Sequence, residues 1–381
     1  MARQLLHPPV RLTVTARRRP LFLYSQVAWD TVWQRPQEQA VGLSKFRPVL
    51  FFSPVQLHEY VSRLSERWQL VRRLQGGRLI VVSPLIFSGE YRSPTVRRIN
   101  REILRWCVRL FPDFAKSLYM TNSPFPTWLL GELEPSVVSY DLIDDFASFS
   151  WAPHDGRETE NELIRQCDFG FAGTGYLCDR YAERLPGLKF LPSGVQFDRL
   201  TAPAPEPSEL AALPHPRILY VGTLNDRLDG NLFRVASEAV PKGTLVVVGP
   251  KHESFQAPKL DGNVKFIGLV PHERLPAFYQ HCDLGIMPFG DSPAARAINP
   301  IKTLEYLACG LPVLSTPVPD VIRYYPDVVR VEAPMNWGAA LREMLQSDSS
   351  EARVRRIDFA RDRSWDRLVV EMERRFREFD P

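Results

Sequence analysis

The chain has little from which to build a covalent or metal scaffold. Its five cysteines, Cys107, Cys167, Cys178, Cys282 and Cys309, are scattered, odd in number and without a C-x-x-C pair, which argues against a disulfide framework or a zinc site and fits buried thiols in a reducing compartment. The seven histidines contain no H-x-x-x-H. No segment approaches 18 consecutive apolar residues, so no span of a bilayer is expected. The basic N-terminus lacks an apolar h-region with a small-residue cleavage site, so no secretion signal is expected either. No G-x-G-x-x-G opens either half and no G-x-x-x-x-G-K-[ST] occurs, which removes the strongest cues for a dinucleotide oxidoreductase or a P-loop NTPase.

What is present is a chain of 381 residues, 44% apolar and 24% charged, the composition of two soluble globular domains. Short runs rich in Val, Ile and Leu recur with helical stretches between them, from "LFLYS" at 21 to "DVVRVE" at 327. Such runs read as parallel strands covered on both faces, so each half is expected to be a doubly wound α/β domain. The Ala/Pro-rich "TAPAPEPSELAALPHP" reads as a linker at 201–216, between a domain of residues 1–200 and one of residues 217–364. The amphipathic "WDRLVVEMERRFREF" makes 365–381 a final helix packed on a domain, in one reading towards the first.

Charge is uneven. Residues 1–110 carry 19 Lys and Arg against 6 Asp and Glu, although the whole chain is only +4. Part of the excess lies in "SPTVRRINREILRWCVRLFP", where Arg97, Arg101, Arg105 and Arg109 repeat every four residues and Ile99, Ile103, Trp106 and Leu110 fill the opposite side. A basic amphipathic helix can lie on an anionic membrane, cover a nucleic-acid backbone, or be a solvated helix packed on its own core. No nucleic-acid motif accompanies the charge, so among binding partners an anionic membrane surface is favoured over nucleic acid.

The stretch "NPIKTLEYLACGLPVLST" places a cation and a carboxylate at the mouth of a helix. Asn299 reads as the N-cap and Pro300 as the first helical residue, with Gly310 ending the helix before a buried strand. Lys302 and Glu305 then share one face. The free N–H groups of the first turn and the Lys302 ammonium suit phosphate, while a carboxylate one turn deeper can accept both hydroxyls of a sugar diol. Diphosphate followed by ribose has that order of groups. An isolated K-x-x-E is otherwise a solvated helix pair.

Several stretches in the same order resemble the GT-B fold glycosyltransferases, particularly bacterial ones grouped with the large retaining family 4. They are "YSQVAWDTVWQRPQEQAVGL", "YDLIDDFASFSWAP", "LPSGVQFDRL", "RILYVGTLNDRLD", "VKFIGLVPHERLPAFYQHCDLGIMPF" and the Asn299 stretch. The resemblance implies two Rossmann-like domains facing each other across a cleft, with the nucleotide sugar held by the second. It implies a ribose-binding role for Glu305, positions near the diphosphate for Lys302, Pro300 and Ile301, and backbone contact with the base at Gly268 and Leu269. Thr223 stands where the family has a phosphate-binding arginine, and Arg227 in the same loop can take over that charge. The family's second glutamate, eight residues before Glu305, is Ala297 here. A more distant resemblance, to the xanthan-type glucuronosyltransferase, accommodates that change through an acidic base in the first domain, for which Asp144 occupies the matching place. Trp29, Asp30 and Arg35, with Trp33, can wall the acceptor side, although the tryptophans read equally well as core.

The expectation is a cytoplasmic, peripheral membrane enzyme moving a sugar from a nucleoside diphosphate sugar, UDP-linked by preference, to a saccharide or lipid-linked acceptor, with no cofactor and no metal. The alternatives are a sugar-nucleotide epimerase of the same fold and a non-catalytic nucleotide or sugar-binding subunit.

Overall fold

The computed structural model describes residues 18–380 apart from 31–32, 63–68, 91, 126, 147–152, 257–258 and 261; the latter part of "YDLIDDFASFSWAP" therefore lies outside the described residues. Strands form where the apolar runs fall. In chain order they are β1 (Leu21–Tyr24), β2 (Val49–Phe52), β3 (Val55–Gln56), β4 (Val71–Leu74), β5 (Leu79–Val82), β6 (Leu85–Ile86), β7 (Leu118–Thr121), β8 (Val137–Leu142), β9 (Phe169–Ala172) and β10 (Lys189–Phe190). They are followed by β11 (Arg217–Val221), β12 (Thr244–Val248), β13 (Val264–Gly268), β14 (Leu284–Met287), β15 (Val313–Ser315) and β16 (Arg330–Val331).

One sheet has the order β10-β9-β8-β7-β1-β2-β5-β4, and all its pairings are parallel except β4 against β5. Its central strands are buried at every position because helices cover both faces. The edge strand β4, "VRRL", was not expected as a strand: it alternates between exposed and partly exposed and reads as polar chain. The two-residue strands β3 and β6 pair with each other and are too short to leave a pattern. The second sheet, β13-β12-β11-β14-β15-β16, is parallel throughout. Strand order reverses between β1 and β7 in the first sheet and between β11 and β14 in the second, and ligands of open α/β sheets bind outside the carboxyl ends of the strands at such a point.

The chain divides into two compact units, one running to Gly173 with Leu177–Leu191 and Leu368–Pro381, the other comprising Thr174–Tyr176 and Pro192–Arg367. The division at 191/192 precedes the expected linker, and 201–216 lies wholly in the second unit. Its Leu210 is fully buried in that unit's core, and the Arg217 guanidinium donates to the Leu210 and Leu213 carbonyls at 2.8 Å each. The proline content of this segment fixes its path along the surface of the unit; it does not separate two bodies.

The helix Trp365–Phe379 contributes Met372 and Phe376 to the core of the first unit. Val369 approaches Gly42 so closely that a Cβ there would fall 2.3 Å from Val369 Cγ1. Fully buried Arg47 donates to Glu373 at 2.8 and 3.0 Å. Burial alone would raise the Glu373 pKa, but bonds from Arg47, Arg377 and Arg18 hold it below the ordinary carboxylate range.

The basic helix Pro94–Arg109 forms as expected, capped by Ser93, but its faces are assigned differently. Asn100, Leu104 and Val108 are buried, while Ile99 and Trp106, expected on the inner side, are 45% and 50% exposed. The arginine stripe is largely engaged within the unit: Arg97 pairs with Asp155, Arg105 with Glu132 and Glu102, and Arg109 with Glu132, while Arg101 lies 5.0 Å over the Trp128 ring.

Candidate active site

In the second unit, a cavity of about 260 Å³ opens at the carboxyl ends of β11 and β14, where the strand order reverses. It is lined by Thr223 and Arg227 from the loop after β11 and by Asn299, Pro300, Ile301 and Lys302 from the start of the helix Ile301–Ala308. Close packing of glycines shapes the strand ends beside it. At Gly249, after β12, a Cβ would sit 2.1 Å from the Gly222 carbonyl oxygen, so only glycine lets the two chain segments approach this closely. The Arg227 N–H donates to Asn225 Oδ1 at 3.0 Å and the Arg227 carbonyl accepts from Gly290, which fixes the loop where Arg227 lines the cavity.

The helix start differs from expectation. Pro300, not Asn299, is the N-cap, with no side-chain cap bond. Asn299 is instead held sideways, its amide donating to Asp320 at 3.0 Å and its carbonyl accepting from the Tyr325 hydroxyl at 3.0 Å. The first-turn N–H groups of this helix are thereby left without a side-chain acceptor, which is the condition for binding an anion. Lys302 adds an ammonium at the same mouth.

Glu305 is 7% exposed, so it is no solvated helix charge. Lys302 Nζ donates to its Oε2 at 2.7 Å, the Tyr279 hydroxyl donates to the same oxygen, and His272 Nε2 lies 3.8 Å from Oε1. Burial would raise its pKa, but the Lys302 charge, with the bonds from His272, Lys302 and Tyr279, overrides it and holds the carboxyl at about 2 against an ordinary 4.5. The stabilisation this brings is complete above the unfolded value near 4.5 and is lost as pH falls through about 2, so Glu305 is ionised across the neutral range. Oε2 is occupied by two donors, whereas Oε1 keeps capacity to accept hydroxyls. Burial and the neighbouring Glu305 carboxylate raise the Tyr279 pKa, so the phenol stays a donor.

Tyr279, His272 and Arg199, which donates to His272 Nδ1 at 2.8 Å and so leaves the proton on Nε2 facing Glu305, were not singled out from the sequence. A tyrosine on the apolar face of the helix Leu275–Gln280 reads as core. Of the remaining expected residues, Gly268 adopts φ +80 and its carbonyl accepts from Gly249 N–H at 2.8 Å; neither it nor the 79% exposed Leu269 lines the cavity.

In the first unit, Asp144 is exposed in the bend that follows β8, at the carboxyl end of a parallel strand. Asp145 is partly buried, with the Tyr181 hydroxyl at 3.3 Å and Arg180 at 3.3 Å. Asp141 is fully buried and receives Arg35 Nε and Nη2 at 2.8 and 2.6 Å, Gln39 at 2.7 Å and Asn122 at 2.9 Å. Arg35 is therefore a structural partner of Asp141 and no wall of an acceptor site. Trp29 is likewise core, edge-on to Phe51 and Trp33, and Asp30 is ion-paired with Arg72.

Two doubly wound Rossmann-like sheets in one chain define the GT-B class of folds. Residues 215–347 match the family Glycosyl transferases group 1, and this match, with the relatives below, supports a GT-B, family 4-like glycosyltransferase. It is 26% identical over 280 residues, 66% of this chain and 69% of the other, to a Bacillus subtilis protein described as a teichuronic acid biosynthesis glycosyltransferase, TuaH. Among solved structures it is similar to Anabaena Alr3699/HepE in complex with UDP, with a TM-score of 0.67 at 13% identity over 95% of this chain and 100% of that one. It is also similar to an Escherichia coli structure described as trehalose-6-phosphate bound with UDP-2-fluoro glucose, with a TM-score of 0.65 at 12% identity over 94% of this chain and 98% of that one.

Proposed function

We propose that this glycosyltransferase takes its sugar from a UDP-sugar and passes it to a saccharide, carried on a lipid, in the synthesis of a cell-surface polysaccharide. The observation that carries the reading is the cavity at the β11/β14 reversal, where an uncapped helix start, Lys302 and Arg227 converge, while the ionised Glu305 stands behind that lining, bonded to Lys302. The order of groups matches a diphosphate and then a ribose. The UDP seen in the Anabaena neighbour and the teichuronic acid role given to the Bacillus relative support donor and pathway class. Lys302, Arg227 and the helix start supply the positive charge that stabilises the leaving diphosphate, without a metal.

Lys302→Ala and Glu305→Gln each remove a charge-assisted hydrogen bond worth about 1.5–3 kcal/mol, so each is expected to weaken UDP binding by about tenfold to a hundredfold. Calorimetric titration in EDTA reads the effect. Unchanged affinity in both variants would move the nucleotide away from this helix. UDP release that needs a lipid-linked acceptor separates transfer from epimerisation and from mere binding.

A second reading, attachment to the cytoplasmic face of a membrane, is favoured by the exposed Ile99 and Trp106 beside Arg98 and Arg109 on the helix Pro94–Arg109. An apolar edge flanked by arginine suits the interface of an anionic bilayer. Trp106 is its own reporter: its emission is expected to shift to shorter wavelength with phosphatidylglycerol vesicles and not with phosphatidylcholine, and Trp106→Ala is expected to abolish the shift. An emission spectrum indifferent to anionic vesicles would leave this face to solvent.

A further inference from the structure

Two adjoining cavities of the first unit, about 440 and 240 Å³, share Tyr24, Ile86 and Glu90. The larger lies past the carboxyl ends of β1 and β2, where Gln26 and Pro54 line it; that is the side of an α/β sheet on which ligands bind. The smaller lies under the helix Pro94–Arg109, against Phe125 and Trp128. Two of the four arginines of the basic stripe, Arg97 and Arg101, line this second chamber. Arg101 spreads over the Trp128 ring at 5.0 Å and has no carboxylate partner among the described residues. Glu162 lines the same chamber.

We infer that the two cavities form one elongated saccharide site, in which the larger holds one sugar of the acceptor and the Trp128 chamber holds the sugar next to it. The inference rests on the saccharide-acceptor reading above and deepens it: the acceptor is at least a disaccharide. The chemistry is specific. A pyranose presents an apolar C–H face that packs on an indole ring and a rim of hydroxyls that accept from a guanidinium and donate to a carboxylate. Trp128 offers the first, and Arg101 with Glu162 the second. A lipid tail fits worse, because it would strip water from Arg97, Arg101, Glu90 and Glu162 without replacing their hydrogen bonds. The stripe that looks like a uniform membrane-facing charge is thus divided, with Arg97 and Arg101 lining the chamber and Arg105 and Arg109 outside its lining.

The test is a saturation-transfer NMR titration of the full chain, with saturating UDP, using cellobiose and chitobiose against the methyl glycosides of their single sugars. At least one disaccharide is expected to bind about tenfold more tightly than its monosaccharide. Trp128→Ala is expected to erase that advantage, Arg101→Gln to reduce it, and Trp128→Phe, which keeps a ring and the fold, to retain most of it. Equal or absent binding of mono- and disaccharides by the wild type overturns the inference, as does a disaccharide advantage that survives in both Trp128→Ala and Arg101→Gln. Farnesyl phosphate bound in place of disaccharide, and released by Trp128→Ala, assigns the chamber to a lipid and overturns it equally. UDP titrated in the same samples reads the donor assignment separately, so its failure is not confused with failure at the chamber.

Discussion

Arg35→Ala is expected to lower the unfolding free energy by about 3–5 kcal/mol, because it leaves the Asp141 carboxylate charged and buried without its main partner. Asp141 has no exposed surface, and Arg35 supplies two of its four hydrogen bonds. Gln39 and Asn122, which also bond each other at 3.2 Å, are neutral and cannot balance the charge. Removing both ions is far less costly: in Arg35→Met with Asp141→Leu, the lost attraction is offset by the desolvation that no longer has to be met. Most of the single-mutant loss should therefore return in the double mutant. Urea unfolding followed by tryptophan emission reads this, since Trp29 belongs to the same unit, and a shift in midpoint at constant slope isolates stability from a change in the unfolded state. A single mutant within about 0.5 kcal/mol of wild type would show that water reaches Asp141 and that the pair is not a buried ion pair in solution.

This pair also shows what a lone sequence conceals. Arg35 and Asp141 lie in two of the stretches that carry the family resemblance, "QRPQ" and "YDLIDD", yet they are 106 residues apart and each is locally unremarkable in its charge. A continuous apolar run is a local signal, and such runs placed the central strands of both sheets. Side-chain pairing across the fold is not local, so Arg35 read as a residue available to a ligand. Tyr279 behind Glu305 was hidden for the same reason. Composition misled at 201–216, where proline reads as linker although a single buried leucine, Leu210, ties the segment to the second unit. Helical spacing misled at Ile99 and Trp106: four-residue periodicity gives two faces but not which of them meets the core, and Asn100, Leu104 and Val108 took that place. The Lys302–Glu305 spacing was readable, but the burial that makes the glutamate a fixed acceptor depends on Tyr279 and His272, which arrive from the helix Leu275–Gln280 and the 3-10 turn before it.

The largest effect on turnover is expected at Asp144. Of the three aspartates of "YDLIDD", Asp141 is committed to Arg35, Asp145 is partly buried beside Tyr181 and Arg180, and Asp144 is the exposed one, in the bend where β8 ends. A carboxylate at the carboxyl end of a parallel strand stands where α/β folds present their ligands, and it can take the proton of an acceptor hydroxyl as that oxygen attacks the anomeric carbon. Ala297 replaces the second glutamate that the resemblance to family 4 implies, which removes one support for a retaining path and leaves direct displacement by a base-activated acceptor as the simpler chemistry. We therefore propose that Asp144 is the general base and that transfer inverts the anomeric centre. Asp144→Asn is isosteric and is expected to keep the fold and the UDP affinity, since the cavity proposed for the nucleotide belongs to the other unit, while losing about 10²–10⁴ in turnover, the usual contribution of a general base. The loss should appear in kcat and kcat/KM together, because the proton moves only in the transition state. The stereochemistry is the sharper test. The anomeric coupling constant of the product, compared with that of the donor sugar, is expected to show inversion; a product with the donor's configuration makes the enzyme retaining in spite of Ala297, and reduces Asp144 to a residue that orients the acceptor.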